Sequence, residues 1–165
     1  MKKGYFEKYF LSAILFLQLI FFLPIFLWKR PIKDWIFVYL FNAITNGILD
    51  KLLTRYKIIK YPIRLFSQKT KINVLFDFLV YPLFTVFFNQ ITLKDKPFLI
   101  LYKLLFFTIP MYFFEMWAVK KTNLIKWQKG WKGYHSFLSL TIKSLITRLF
   151  IELIRRRRKN SELHK

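Results

Sequence analysis

Asp50, Asp77 and Glu115 lie inside or at the margins of long apolar runs, and each has polar companions at helical spacing. Asn42, Asn46 and Asp50 recur every four residues, Asp77, Tyr81, Thr85 and Asn89 do the same, and Thr108 precedes Glu115 by seven. Such spacing places each set on one face of a helix. Carboxylate and amide oxygens ligate hard cations, and carboxyls carry protons. Asp50, Asp77, Glu115, Asn46, Tyr81 and Thr108 therefore form a candidate ion or proton layer. The same residues also admit a structural reading. Seven Lys and Arg lie between positions 51 and 71, Arg55 and Arg64 among them, and loop cations paired with these acids would pin loop to helix without any ligand.

Other chemistry has little to stand on. Without cysteine there is no thiolate nucleophile and no Cys-type metal site, and His135 and His164 are the only histidines. No Ser or Thr has a recognisable base partner. No catalytic, cofactor-binding or metal-ligating residue is assigned, no cofactor is expected, and the chain reads as a non-enzyme.

The elements that must position the acids follow from hydropathy. Four apolar runs cover residues 9–28, 35–53, 72–93 and 98–119. The first has twenty residues without a charge, about 30 Å of helix and one hydrocarbon thickness. Lys29-Arg30-Pro31 follows it with no small-residue cleavage pattern, so it reads as a retained anchor rather than a signal peptide. With four spans, 23 of the 29 Lys and Arg fall on one side and 5 on the other, with Lys103 inside the fourth run. That bias puts both termini in the cytoplasm. Trp28, Trp35 and Trp117 mark run ends, where indoles favour the membrane interface. Lys103 is placed to snorkel to the outer interface. On this topology Asp50, Asp77 and Glu115 share one depth near the cytoplasmic face.

Residues 134–154 form an amphipathic pattern in which Leu138, Ile142, Leu145, Ile146, Leu149 and Leu153 occupy one arc and Lys143, Arg148 and Glu152 lie outside it. The arc is expected either to rest on the membrane surface or to dock on the bundle. Arg155, Arg156, Arg157, Arg158 and Lys159 follow as candidate contacts for anionic lipid. Residues 56–66 interleave basic with apolar and aromatic side chains, which points to the same partner. A net charge of +21 can also indicate nucleic acid, but here the charges flank runs that no small soluble fold could bury, so nucleic acid is not expected.

Lys33-Asp34-Trp35, Asn42-Ala43-Ile44-Thr45-Asn46 with Asp50, Tyr61-Pro62-Ile63-Arg64, Phe76-Asp77 with Tyr81-Pro82, Glu115, Lys121-Thr122-Asn123-Leu124-Ile125, Gly130-Trp131 and Tyr134-His135-Ser136-Phe137 carry a resemblance. Together they resemble a family of small multi-pass membrane proteins of unknown function from Bacillus and Clostridium relatives. The resemblance implies a Gram-positive, often spore-forming source and the cytoplasmic membrane, and supplies no activity.

The sequence thus predicts an all-α polytopic membrane protein. Residues 1–133 are expected to form four transmembrane helices with basic cytoplasmic loops, and residues 134–165 an interfacial or docked helix with a basic tail. The expected role is an accessory, scaffold or lipid-interacting subunit with anionic lipid, a membrane protein or a second copy as partner. The alternative is a cation- or proton-handling component using the carboxylates.

Overall fold

The computed structural model describes residues 4–65 and 70–163, without the side chains of residues 23, 158, 159 and 161–163. The fold is helical: α1 (Tyr5–Trp28), α2 (Ile32–Arg55), a π-helical turn (Phe76–Val80) running into α3 (Tyr81–Ile91), α4 (Pro97–Lys121) and α5 (Gly133–Leu163). Two-residue strands β1 (Ile59–Lys60) and β2 (Lys126–Trp127) pair antiparallel, with Ile59 opposite Trp127. Among the described residues, α1, α2 and α4 are long and apolar enough to cross a membrane, while Phe76–Ile91 is a shorter apolar helix.

Side chains are distributed as hydrocarbon, not water, would distribute them. Asn42, Thr85, Asn89, Gln90, Thr108 and Thr147 are at most 1% exposed, whereas Phe16, Phe21, Phe98, Phe106 and Phe113 are more than half exposed on the outside. Polar groups turned inward find partners that lipid cannot supply. One apolar cluster joins Phe26, Trp35, Val38, Leu83, Val86 and Ile151; a second joins Leu11, Leu75, Ala118 and Leu124.

Pro82 explains how the π-helical turn is held. It has no N–H, so a carbonyl one turn earlier loses its helical donor. The chain widens to a five-residue step, in which the Tyr81 N–H bonds the Phe76 carbonyl. The neighbouring carbonyls are taken up by α2: Asn46 Nδ2 donates to Asp77 O at 3.2 Å and the Tyr39 hydroxyl to Phe78 O at 2.5 Å. Gly47 lets the two elements approach, because a Cβ there would stand 2.8 Å from the Phe78 ring.

α5 docks on the bundle, but through the face opposite to the one expected. Leu138, Ile142, Leu145, Ile146, Leu149 and Leu153 are 36–58% exposed, while Ser136, Ser144, Thr147, Arg148 and Ile151 are buried. The amphipathic pattern is genuine and its polarity is reversed: the apolar arc is the outer surface and the polar face meets α2, α3 and α4. Thr147 bonds Asn42 across α2 at 3.3 Å, and Arg155 reaches Asp34 at 3.2 Å. The eight-residue step from Thr147 to Arg155 matches the eight-residue step back from Asn42 to Asp34, so α5 runs antiparallel along α2.

Candidate functional site: a buried carboxyl pair in a polar column

Asp50 and Asp77 come together. Asp50 is in the last turns of α2, Asp77 is in the π-helical turn, both are 5% exposed, and their carboxyl groups are close enough to act on each other electrostatically. Asp50 accepts the Tyr61 hydroxyl at 2.7 Å and the Asn73 N–H at 3.2 Å. All of these donors are neutral. Among the described residues no ion pair joins Asp50, Asp77 or Glu115 to a Lys or Arg, so the loop-cation pairing expected as the structural alternative is not what satisfies them. The cation that acts on Asp77 electrostatically is Lys143 of α5, whose ammonium lies 5.1 Å from the Tyr81 ring centre.

Glu115 stands apart from the pair. Its Oε1 accepts Ser136 Oγ at 2.7 Å and Trp127 Nε1 at 3.2 Å, tying α4 to β2 and to the first turn of α5. It is linked to the pair only indirectly. Glu115, Tyr61 and Asn73 line one cavity of about 100 Å³ that is otherwise mostly apolar, with Phe10, Leu11 and Ala118 in its wall. In the loop, burial and then the neighbouring Asp50 carboxyl push the Tyr61 phenol well above its ordinary value of 10.0. Thr108 is buried on α4 two turns from Glu115, about 10 Å along the axis, and joins neither group. Asn46 contacts Asp77 through the backbone carbonyl alone.

From the pair a column of buried polar groups runs between α2, α3 and α5. Tyr81 bonds Ser144 at 2.9 Å; Thr147 meets Asn42; Arg148 donates to Thr92 O at 3.2 Å and to Glu152 at 2.7 Å. Beyond it lies the Asp34–Arg155 pair. Asp77 Oδ2, Lys143 Nζ, Arg148 Nε, Asn89 Oδ1 and Gln90 Oε1 are buried without a hydrogen-bond partner, leaving the column several unused polar atoms. At the far end of α3, Lys103 pairs with Asp95 at 2.6 Å and donates to Ile91 O.

Sequence reasoning missed Lys143 and Arg148, having placed both on the solvent side of α5. The signal that could have found them was the six-residue apolar arc itself: if lipid lies outside, that arc faces out and the cations face in. Of the tail, Arg155 pairs with Asp34 and Arg156 with Glu152, while the side chains of Arg158 and Lys159 lie outside the described ones. No group of three or more acidic or His side chains suited to a metal ion occurs among the described residues. No family model, curated protein or solved structure matches the chain.

Proposed function

We propose that the protein is an integral membrane protein that handles protons, with Asp50 and Asp77 as the site that loads one. The observation that carries this reading is the burial of two neighbouring carboxyl groups, with neutral donors on Asp50 and, among the described residues, no ion pair on either, continued into a polar column. Two carboxyls with neutral donors fall short of the six to eight oxygen ligands that a hard cation such as calcium takes, so the proton suits the interior better than the cation weighed from sequence.

The fine topology belongs to the same proposal. The contacts of α5 with α4, α3 and α2, running from Ser136 at Glu115 to Arg155 at Asp34, support five crossings rather than four: α1, α2, the Phe76–Ile91 helix, α4 and α5. Counted this way, Arg155, Arg156, Arg157, Arg158, Lys159 and Lys165 change sides, Lys143 and Arg148 enter the bilayer, and the basic split becomes 15 to 11. The side holding the N-terminus and the α2–α3 loop keeps the larger share and is assigned to the cytoplasm. The C-terminus then lies opposite. The setting is a bacterial cytoplasmic membrane, as the resemblance read from sequence implies.

The test is proton flux in proteoliposomes loaded with a pH-sensitive dye, with a membrane potential as driving force. Wild-type protein is expected to change the internal pH faster than empty vesicles do, and Asp77→Asn, which keeps the shape and removes the titrating group, to return the rate to background. Wild-type vesicles as tight as empty ones would overturn the reading and leave an accessory or scaffold subunit.

A further inference from the structure

At the α2 end that carries Asp50, a cleft of about 930 Å³ opens between α2, β1 and the following loop. Among the described residues its wall includes Lys51, Arg55, Lys57, Lys60, Arg64 and Lys71, and no Asp or Glu. The nearest buried carboxyl, Asp50, lies behind Tyr61, whose hydroxyl it already holds. Among the described residues none of Lys51, Arg55, Lys57, Lys60 and Lys71 takes part in an ion pair. Arg64 is anchored through Nη1 to the Tyr61 carbonyl. Six cations converging on one concavity concentrate positive potential there.

The wall is ordered by its own backbone. α2 ends in a paired cap, with the Lys57 N–H on Thr54 O at 3.1 Å and the Ile58 N–H on Leu53 O at 2.9 Å. That cap puts Lys57 at φ +57, a conformation glycine adopts freely and a lysine does not. β1 is then fixed by pairing with β2 and by the Gln128 N–H on Ile58 O at 2.8 Å. Ile59, Pro62 and Ile72 also line the cleft, so apolar surface lies beside the charge.

We infer that this cleft is a binding site for a glycerol-phosphate anion. The chemistry is that of an anionic phospholipid headgroup, with apolar wall for the first carbons of its chains, and it is shared by soluble glycerol phosphate. The site uses different residues from the carboxyl pair and does not depend on proton handling.

The experiment measures thermal unfolding of the full-length protein in a neutral detergent, titrated separately with short-chain phosphatidylglycerol, short-chain phosphatidylcholine and glycerol 3-phosphate. The anionic lipid is expected to raise the melting temperature in a salt-sensitive way and the zwitterionic lipid to leave it unchanged. Stabilisation by glycerol 3-phosphate equal to that by the lipid would assign the site to the soluble anion; stabilisation by the lipid alone would assign it to the membrane. Lys57→Gly with Lys60→Gln removes two charges and gives the cap its preferred residue, so the variant folds at least as well in the absence of additive. Its apparent affinity should fall about 10-fold to 30-fold. Neutralising residues 155–159 should leave the effect intact. Equal stabilisation by both lipids, no response to any probe, an undiminished response in the Lys57/Lys60 variant, or loss of the response only in the tail variant would each overturn the assignment.

Discussion

Tyr61 connects three features: its hydroxyl holds Asp50, and the residue lines both the small cavity beside Glu115 and the basic cleft. Because its phenol is raised, the folded protein keeps it neutral where the unfolded chain would ionise it. Its contribution to stability is therefore complete below about pH 10 and lost as pH rises beyond it. Tyr61→Phe is expected to cost about 1 kcal/mol at neutral pH through the lost bond, and to flatten the fall in melting temperature between about pH 9 and pH 11. Parallel pH profiles for wild type and variant would contradict the burial assigned to this phenol. At this scale the sequence was informative about direction and silent about pairing. Four-residue spacing told correctly that Asp77, Tyr81, Thr85 and Asn89 turn inward. That Asp50 meets Asp77 while Glu115 bonds Ser136 and Trp127 depends on distances across helices that no local pattern records.

Among the elements, the π-helical turn shows how a proline is accommodated inside an apolar helix. The carbonyls beside Pro82 are satisfied by Tyr39 and Asn46 from α2, which makes a local defect into an interhelical contact. Tyr39→Phe should cost about 1–3 kcal/mol by leaving a buried carbonyl without its donor. The cost should shrink clearly in a Pro82→Ala background, where the restored N–H can serve Phe78 O; chemical denaturation of the four proteins in detergent measures this coupling. Gly47→Val should lower stability by about 1–3 kcal/mol, because the close approach to Phe78 has no room for a branched side chain. An unchanged melting temperature would show that α2 and the turn can separate. Sequence reasoning found these helices from their apolar length. It misjudged α5 because the spacing of leucines and cations along a helix records that two faces differ, not which of them meets the bundle. The buried Ser136, Ser144, Thr147 and Arg148 reverse the usual assignment only when the surroundings are as apolar as the exposed leucines.

At the scale of the molecule, the described helices bury polar groups beside their apolar clusters and turn large apolar side chains outward, and the five-crossing topology proposed from this is testable. With no native cysteine, single cysteines at Lys129 and Asn160 report cleanly on sidedness. In sealed vesicles a membrane-impermeant maleimide is expected to reach these two positions from opposite sides. Labelling of both from one side would return α5 to a non-crossing position. Charge counting alone favoured four spans because it gave the cleanest split, and it had no information on the two cations that α5 buries. The reversed polarity of α5 also bears on how the protein is made. A helix carrying Lys143 and Arg148 is poorly suited to leave the insertion machinery for lipid by itself, since each such charge costs about 2.5–3.5 kcal/mol at the centre of a bilayer. Asn42, Tyr81 and Thr92, which receive its polar face, belong to segments synthesised earlier. On the proposed topology the last helix enters the membrane against an assembled α2–α3 surface, so substitutions that loosen that surface should appear first as failed insertion of the C-terminus.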